Sequence, residues 1–437
     1  MVEGTGPMKP GNLRKCGAKS SISFHEMKDN LKQTHFHLVK MSFFIEREGV
    51  NMAKTYQEIN EKIARGEAVI VTAEEVIDIV KERGTKEAAE YVDVVTTATF
   101  GPMCSSGAFL NFGHADPPIR MAEIELNNVE AYGGLAAVDT YIGATQPSSD
   151  KGAEYGGAHV ICDLIDGKEV HLHATSPGTD CYPRKEIDTW VGLQDMNEAY
   201  LYNPRNCYQN YNAAINTSKK RIYTYMGILH PNMGNITYST AGALSPLLND
   251  PMYKTIGMGT RIFLAGTQGY VSWMGTQFNS GCARDEKGYP LGGAGTLAVM
   301  GEMREMSTKY IQPAVFERYG VSMFVGIGIP IPILDEEMMA FVSVTDAELH
   351  TNIMDYSDKD RPVIKKVSYA ELRSGSVEID GKKIRTSPLS SLTKARAIAN
   401  ELTGWIKKGA FFLQEPVMKF PAGNTLNSLK IKEGGSK

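Results

Sequence analysis

Residues 55–100, TYQEINEKIARGEAVIVTAEEVIDIVKERGTKEAAEYVDVVTTATF, carry the pattern on which the fold reading rests. They predict helix, strand, helix and strand in turn. Ala68-Val69-Ile70-Val71 is short and apolar, as a strand between two helices should be. Thr72 followed by Glu75 makes a capping box, in which hydroxyl and carboxylate satisfy backbone amides that the first helical turn leaves open. Val76, Ile77 and Val80 then share one helix face. Val92–Phe100 is β-branched and unbroken, which suits a strand covered on both faces. Such alternation predicts an α/β or α+β fold, a mixed sheet with flanking helices, and leaves its topology open.

Working outward, that second strand delivers the chain to GPMCSSGAFLNFGHADPPIR (101–120), a loop rich in Gly, Pro and Ser. In open α/β sheets ligands gather where strands end in this way. At least two β-hairpins are expected, each centred on Asp-Gly, the strongest short turn signal. One is HVICDLIDGKEVHLHA (159–174), which would set Cys162 opposite His171 and Val160 opposite His173. The other is SVEIDGKKI (376–384), with Glu378 facing Lys383. Residues 191–320 read as helices mixed with Gly-, Asn- and Thr-rich loops. An amphipathic helix is expected near 390–407, stopped by Gly409.

The domain reading has three parts. Residues 1–51 lack apolar periodicity and read as a leader or a mis-assigned start. Residues 52–416 read as one catalytic domain, and 417–437 as a carboxyl tail. Apolar residues at 42% and charged residues at 22% fit an ordinary globular chain. A net charge of −4 gives no footprint for nucleic acid or for an anionic membrane surface. The longest apolar run, 321–334, is broken by two prolines and too short to span a bilayer.

The six cysteines stand at residues 16, 104, 162, 181, 207 and 282. That irregular spacing matches neither a disulfide scaffold nor a zinc ribbon. With no signal peptide in view, a reducing cytoplasm is expected, where each cysteine is core filler or a working thiolate. Cys181 in SPGTDCYPRKEI (176–187) lies in a turn-rich loop, with Arg184 and Lys185 able to lower a thiol pKa and Asp180 opposing them. Cys104 sits among Ser105, Ser106 and Gly107, a run that can open an anion-accepting turn.

Around these thiols stand further candidates. His171 and His173 share a strand face, and His114 sits ten residues past Cys104, where an acid or base could serve. A zinc site joining the histidines to Cys162 or Cys181 lacks a second tight ligand pair, so no metal is assigned. Gly293, Gly295 and Thr296, in GYPLGGAGTLAVMGE, are expected to open a helix whose amides hold a carboxylate or phosphate. Arg120, Arg205, Arg261 and Arg284 are loop-like and could clamp a carboxylate. From these residues the chain is a candidate α/β enzyme with one or two working thiols and an anion pocket, its reaction undetermined.

From Met52 to about Pro416 the chain resembles the homocysteine-biosynthesis family, the L-aspartate semialdehyde sulfurtransferases of anaerobes. The likeness rests on TYQEINEKIARGEAVIVTAEE, VDVVTTATFGPMCSSGAFLNFGH, GGLAAVDTYIGATQ, YGGAHVICDLIDGKEVHLHATSPGTDCYPRKEI and the carboxyl helix with its tryptophan. It implies sulfur incorporation into aspartate semialdehyde to give L-homocysteine. Cys181 is then the persulfide carrier and Cys104 the second thiol, with Arg184, His171, His114, Gly293, Gly295 and Thr296 as substrate-binding candidates. No covalently bound cofactor is expected. Sulfide or another sulfur donor would supply the atom. No CxxCxxC cluster run occurs, so the external two-electron reductant is expected to be a separate ferredoxin-like iron–sulfur protein. A homodimer is compatible with this reading, and neither nucleic acid nor membrane is a partner. Some relatives carry nucleotide-binding CBS modules beyond the catalytic region; none is expected after Pro416 here, so nucleotide regulation is not carried over. Two other readings stand beside it: a cysteine-nucleophile hydrolase or acyltransferase using His171 or His173 as base, and a non-catalytic persulfide carrier.

Overall fold

In a computed structural model, residues 53–431 are described; the leader reading for residues 1–51 and Cys16 lie outside them. The opening pattern folds as expected. Helix α1 (Tyr56–Arg65) starts at a Thr55 capping box, strand β1 (Ile70–Thr72) follows, and α2 (Glu75–Tyr91) begins where Thr72 and Glu75 exchange hydrogen bonds. Strand β2 (Val94–Pro102) pairs in parallel with β1 and antiparallel with the long strand Gly320–Pro332, so both its edges are taken. Residues 94–101 are all buried, which is why no polar alternation marks this strand.

Nine further strands carry the chain to Asn206: β3 (Gly107–Asn111), β4 (Glu123–Leu126), β5 (Val129–Tyr132), β6 (Asp139–Gly143), β7 (Pro147–Ser148), β8 (Gly152–Gly156), β9 (Val170–Thr175), β10 (Glu186–Val191) and β11 (Glu198–Asn206). The largest sheet has 16 strands. From β2 it runs through Gly320–Pro332, Arg261–Leu264, Thr267–Met274 and Leu297–Glu302, then β11-β3-β6-β5-β4-β9-β10. β2 and β3 therefore stand six strand spacings apart, ~29 Å in a flat sheet. Residues 103–106 join them, a link that reaches at most ~17 Å. The sheet must roll up, and the link closes the roll: the Met103 amide donates to the Met323 carbonyl, and the Ser105 hydroxyl donates to Asn203 Oδ1 in β11.

A mixed sheet with flanking helices is thus present, and several segments differ from the sequence reading. Residues 159–174 are not a hairpin. Gly157–Ile165 is a helix, α3, packed against β3 and Gly320–Pro332, and only 170–175 is strand. Asp166-Gly167 ends that helix, with Gly167 at φ 79° and its amide donating to the Leu164 carbonyl. Ala158, Val160, Ile161 and Leu164 are fully buried, so the helix is apolar nearly all round and its β-branched run mimics a strand. Cys162 therefore does not face His171. The Asp380-Gly381 hairpin does form, with Glu378 opposite Lys383. A second two-residue hairpin joins β4 to β5 at Asn127-Asn128, both with positive φ as a type I′ turn demands.

Residues 191–320 are mainly strands and loops rather than helices. Gly293-Ala294-Gly295-Thr296 leads into the strand Leu297–Glu302, so no helix start exists there to hold an anion. A second, six-stranded sheet contains Ala213–Ile215, Ile236–Tyr238, His350–Asp355, Val363–Ser368 and the 376–388 hairpin. The expected carboxyl helix spans Leu392–Lys407 and lays Ala395, Ile398, Leu402 and Ile406 on β2 and its neighbour, with Gly409 at φ 67° after it. Fully burying Ile398, Leu402 or Ile406 is worth about 1.5–3 kcal/mol each. Residues 417–424 are held too: the Val417 amide donates to the Met258 carbonyl, and Asn424 donates to Ser280 Oγ. No described helix is long and apolar enough to cross a membrane.

One buried charge knits the opening elements together. Asp93, with its side chain 1% exposed, accepts from Lys54 (3.0 Å), from Lys62 (2.7 Å) and from the Val69 amide (2.9 Å). Burial alone would raise its carboxyl pKa. The Lys62 ammonium, the Val69 amide and Lys54 outweigh that and hold it below the usual carboxylate range.

Candidate active site

The 103–106 link places Cys104 at the edge of a cavity of about 760 Å³ between the rolled sheet and the six-stranded one. Cys104 is half-buried. Its Sγ lies 3.3 Å from Ser322 Oγ, and Tyr319 Oη donates to it at 3.8 Å. Burial, and then the neighbouring Cys104, push the Tyr319 hydroxyl up to about 12, so it stays protonated and able to donate.

The far wall comes from the second sheet's loops. Tyr211 Oη donates to Tyr225 Oη (3.1 Å), Tyr225 pairs with Tyr356 (3.2 Å), and Arg361 donates to Tyr225 Oη (3.2 Å) while lying 4.4 Å over the Tyr356 ring. Burial raises the pKa of Tyr211 and Tyr356 as well. Arg205 enters from β11, held on one edge by Thr276 Oγ1 and Gln277 Oε1. Among the described residues, two guanidinium groups and no carboxylate line this cavity. The arrangement suits a small ligand with a carboxylate beside a reactive carbon.

Cys181 lies elsewhere. It is exposed on the loop 176–185 between β9 and β10. Arg184 anchors that loop: Nε donates to the Pro117 carbonyl (2.9 Å) and Nη2 to the Asp116 carbonyl (2.7 Å), so its donors serve backbone rather than a substrate. The His114 ring stacks on Tyr182 at 6.0 Å between centroids and so belongs with the Cys181 loop, not with Cys104. His171 sits on β9, its Nε2 2.8 Å from Asp188 Oδ1 and its ring 5.4 Å from Trp190. His173 meets Glu186 in the same manner at 3.3 Å. Neither histidine lines the Cys104 cavity. We expect His171→Ala to leave the enzyme's rate within about twofold of the parent, since it breaks only a surface pair. A tenfold loss in a steady-state assay would contradict this.

Gly293, Gly295 and Thr296 do not line the Cys104 cavity; they back its wall. The Gln209 amide donates to the Gly295 carbonyl, and Thr296 Oγ1 donates to the carbonyl of Thr276, whose hydroxyl holds Arg205. Arg284 serves the Pro251 and Gly288 carbonyls, and Arg261 that of Phe412. Arg120 lines a second hollow, of about 690 Å³, together with Glu123, Glu125, Glu130 and Ser176. The buried thiols are filler: burial pushes Cys162 up to about 12 and Cys207 higher still. Among the described residues no group of three or more His, Cys, Asp or Glu could hold a metal ion. The sequence reading missed Arg361 and the tyrosines. They come from loops of the second sheet, and only the folded chain brings them to Cys104.

The fold thus sets a thiol and two arginines around one cavity, an arrangement able to receive a small carboxylate-bearing molecule. A family model described as "Homocysteine biosynthesis enzyme, sulfur-incorporation" matches residues 68–413, and the chain belongs to that family. It is 55% identical over 379 residues to the L-aspartate semialdehyde sulfurtransferase of Methanosarcina acetivorans, covering 86% of this chain and 74% of that one. It is 53% identical over 381 residues to the protein of that name from Methanocaldococcus jannaschii, covering 83% and 72%. An uncharacterized protein of Methanothermobacter thermautotrophicus is 29% identical over 339 residues. No solved structure matches the chain.

Proposed function

We propose that this chain is an L-aspartate semialdehyde sulfurtransferase that makes L-homocysteine through a persulfide on Cys181. The observation that carries the substrate reading is the Cys104 cavity, whose two arginines have no carboxylate beside them among the described residues. Arg361, set by its stack on Tyr356, receives the substrate carboxylate, and the aldehyde carbon lies toward Cys104.

A cycle using both thiols balances with sulfide as the only sulfur source. Hydrosulfide attacks the Cys181 sulfur of a Cys104–Cys181 disulfide, forming the Cys181 persulfide and releasing Cys104 as thiolate. The persulfide adds to the aldehyde carbon, making a C–S bond, and the new alkoxide takes a proton. The Cys104 thiolate then attacks Cys181 Sγ, which restores the disulfide and expels the substrate's sulfur as a hydroxy-thiolate. Loss of water gives a thioaldehyde, and two electrons with two protons from the external reductant, a ferredoxin-like protein, give homocysteine. The two cysteines end as they began.

The experiment is anaerobic turnover of aspartate semialdehyde with sulfide and a strong reductant, followed for homocysteine. Formation of homocysteine supports the reading, and its absence with every reductant tried would sink it. In the same assay Arg361→Gln should raise KM roughly 10- to 100-fold with kcat little changed, the loss expected for one charged hydrogen-bond partner. An unaltered KM would remove Arg361 from the carboxylate site.

A further inference from the structure

The cycle above needs the two sulfurs in bonding contact, yet the sheet holds them apart. Register fixes their positions. Thr175 at the end of β9 is level with Glu123 in β4; Glu123 is level with Tyr132 in β5, Tyr132 with Tyr141 in β6, and Tyr141 with Phe109 in β3. Following these antiparallel pairs, the chain leaves Thr175 toward the Asn111 end of β3, whereas Cys104 precedes the Gly107 end. The Arg184 contacts agree, since Asp116 and Pro117 follow Asn111. Measured along the sheet, four strand spacings and two residues of rise, ~20 Å, lie between Thr175 and Gly107, and the chain leaves these points toward opposite ends of the strands.

As clamped at the Asp116–Pro117 end, the loop points away from Cys104. Its ends are fixed by the Thr175–Glu186 pairing, so a tip five residues out reaches ~17 Å at full extension. To reach Cys104 it would have to break the Arg184 clamp and pass around the sheet.

We infer that the working site is composite: Cys181 of a second copy of this chain enters the Cys104 cavity. This rests on the two-thiol reading above. One local charge pairing supports the choice of occupant: Arg184 of the loop stays on its own chain's backbone carbonyls, and the acidic Asp180 stands next to the thiol. Among the described residues, the cavity offers Arg205 and Arg361 without an acidic partner. With Arg361 assigned to the substrate, Arg205 remains to meet Asp180, which travels beside Cys181 on the exposed loop. The disulfide in the cycle is then an inter-chain bond, and each dimer carries two such sites by symmetry.

Complementation tests this. Cys104→Ser and Cys181→Ser chains carrying different tags are co-expressed, and the mixed dimers are purified through both tags. One of the two sites is then intact, so the mixed dimer should run at about half the parent rate while both variant homodimers are inactive. Independently of turnover, mild diamide oxidation of the parent should give a Cys104–Cys181 peptide pair by mass spectrometry and a band of twice the chain mass on a non-reducing gel. Each variant should lack both. Inactive mixed dimers beside an active parent, a pair found only within single chains, or a monomeric active parent would overturn the composite site. A cross-linked pair without homocysteine would instead sink the reaction and keep the composite site.

Discussion

Cys104→Ser should end multiple-turnover homocysteine formation, with a loss of roughly 10³-fold or more, as expected when a covalent participant is removed. A serine hydroxyl does not ionise near neutral pH, so it can neither displace the substrate's sulfur nor form the disulfide that sulfide reopens. The change is small in volume and keeps the Ser322 and Tyr319 neighbours, so the cavity survives it. The measurement is homocysteine per enzyme over many turnovers, with thermal unfolding as the control. Near-parent turnover would make Cys104 a packing residue.

The second large effect concerns stability. Asp93→Ala should cost about 3 kcal/mol, the lower end for breaking a buried ion pair, because Lys54 and Lys62 keep some access to water. The Val69 amide, an anchor of the β1 entry, also loses its acceptor. Because the folded carboxyl lies below its unfolded value, Asp93 contributes fully above about pH 4 and loses that contribution as pH falls through the folded value. Chemical denaturation near pH 7 should therefore show the deficit, and the gap between parent and variant should narrow in acid. A deficit under 1 kcal/mol at pH 7 would mean that the lysines relax into solvent.

What could be read beforehand follows from where the information sits. The opening helices, β1 and β2 declare themselves through caps and local periodicity, and Gly381 marks a turn unaided. The 159–174 segment misleads because Asp-Gly serves a helix end as well as a hairpin, and a helix buried on nearly every side leaves only His159 and Asp163 as a polar face. The strands of 191–320 are broken by loops and flanked by glycines, which hides their period. At the site, the two cysteine loops are visible in the sequence. Arg361, 257 residues after Cys104, is not, because its proximity comes from packing two sheets rather than from spacing. Arg184 and Lys185 look like thiol activators, yet Arg184 serves as a strut.

The four-residue closure that seats Cys104 also sets a timetable for synthesis. Its sulfur is touched by Tyr319 and Ser322, and its opposite wall waits for Arg361. At 5–20 residues per second, a ribosome leaves this thiol without its enclosure for roughly ten to fifty seconds. Pairings of such long sequence separation also form slowly once the chain is complete. A nascent chain therefore holds Cys104 as an ordinary unsheltered thiol, open to any oxidant in the cell, until its last third has emerged.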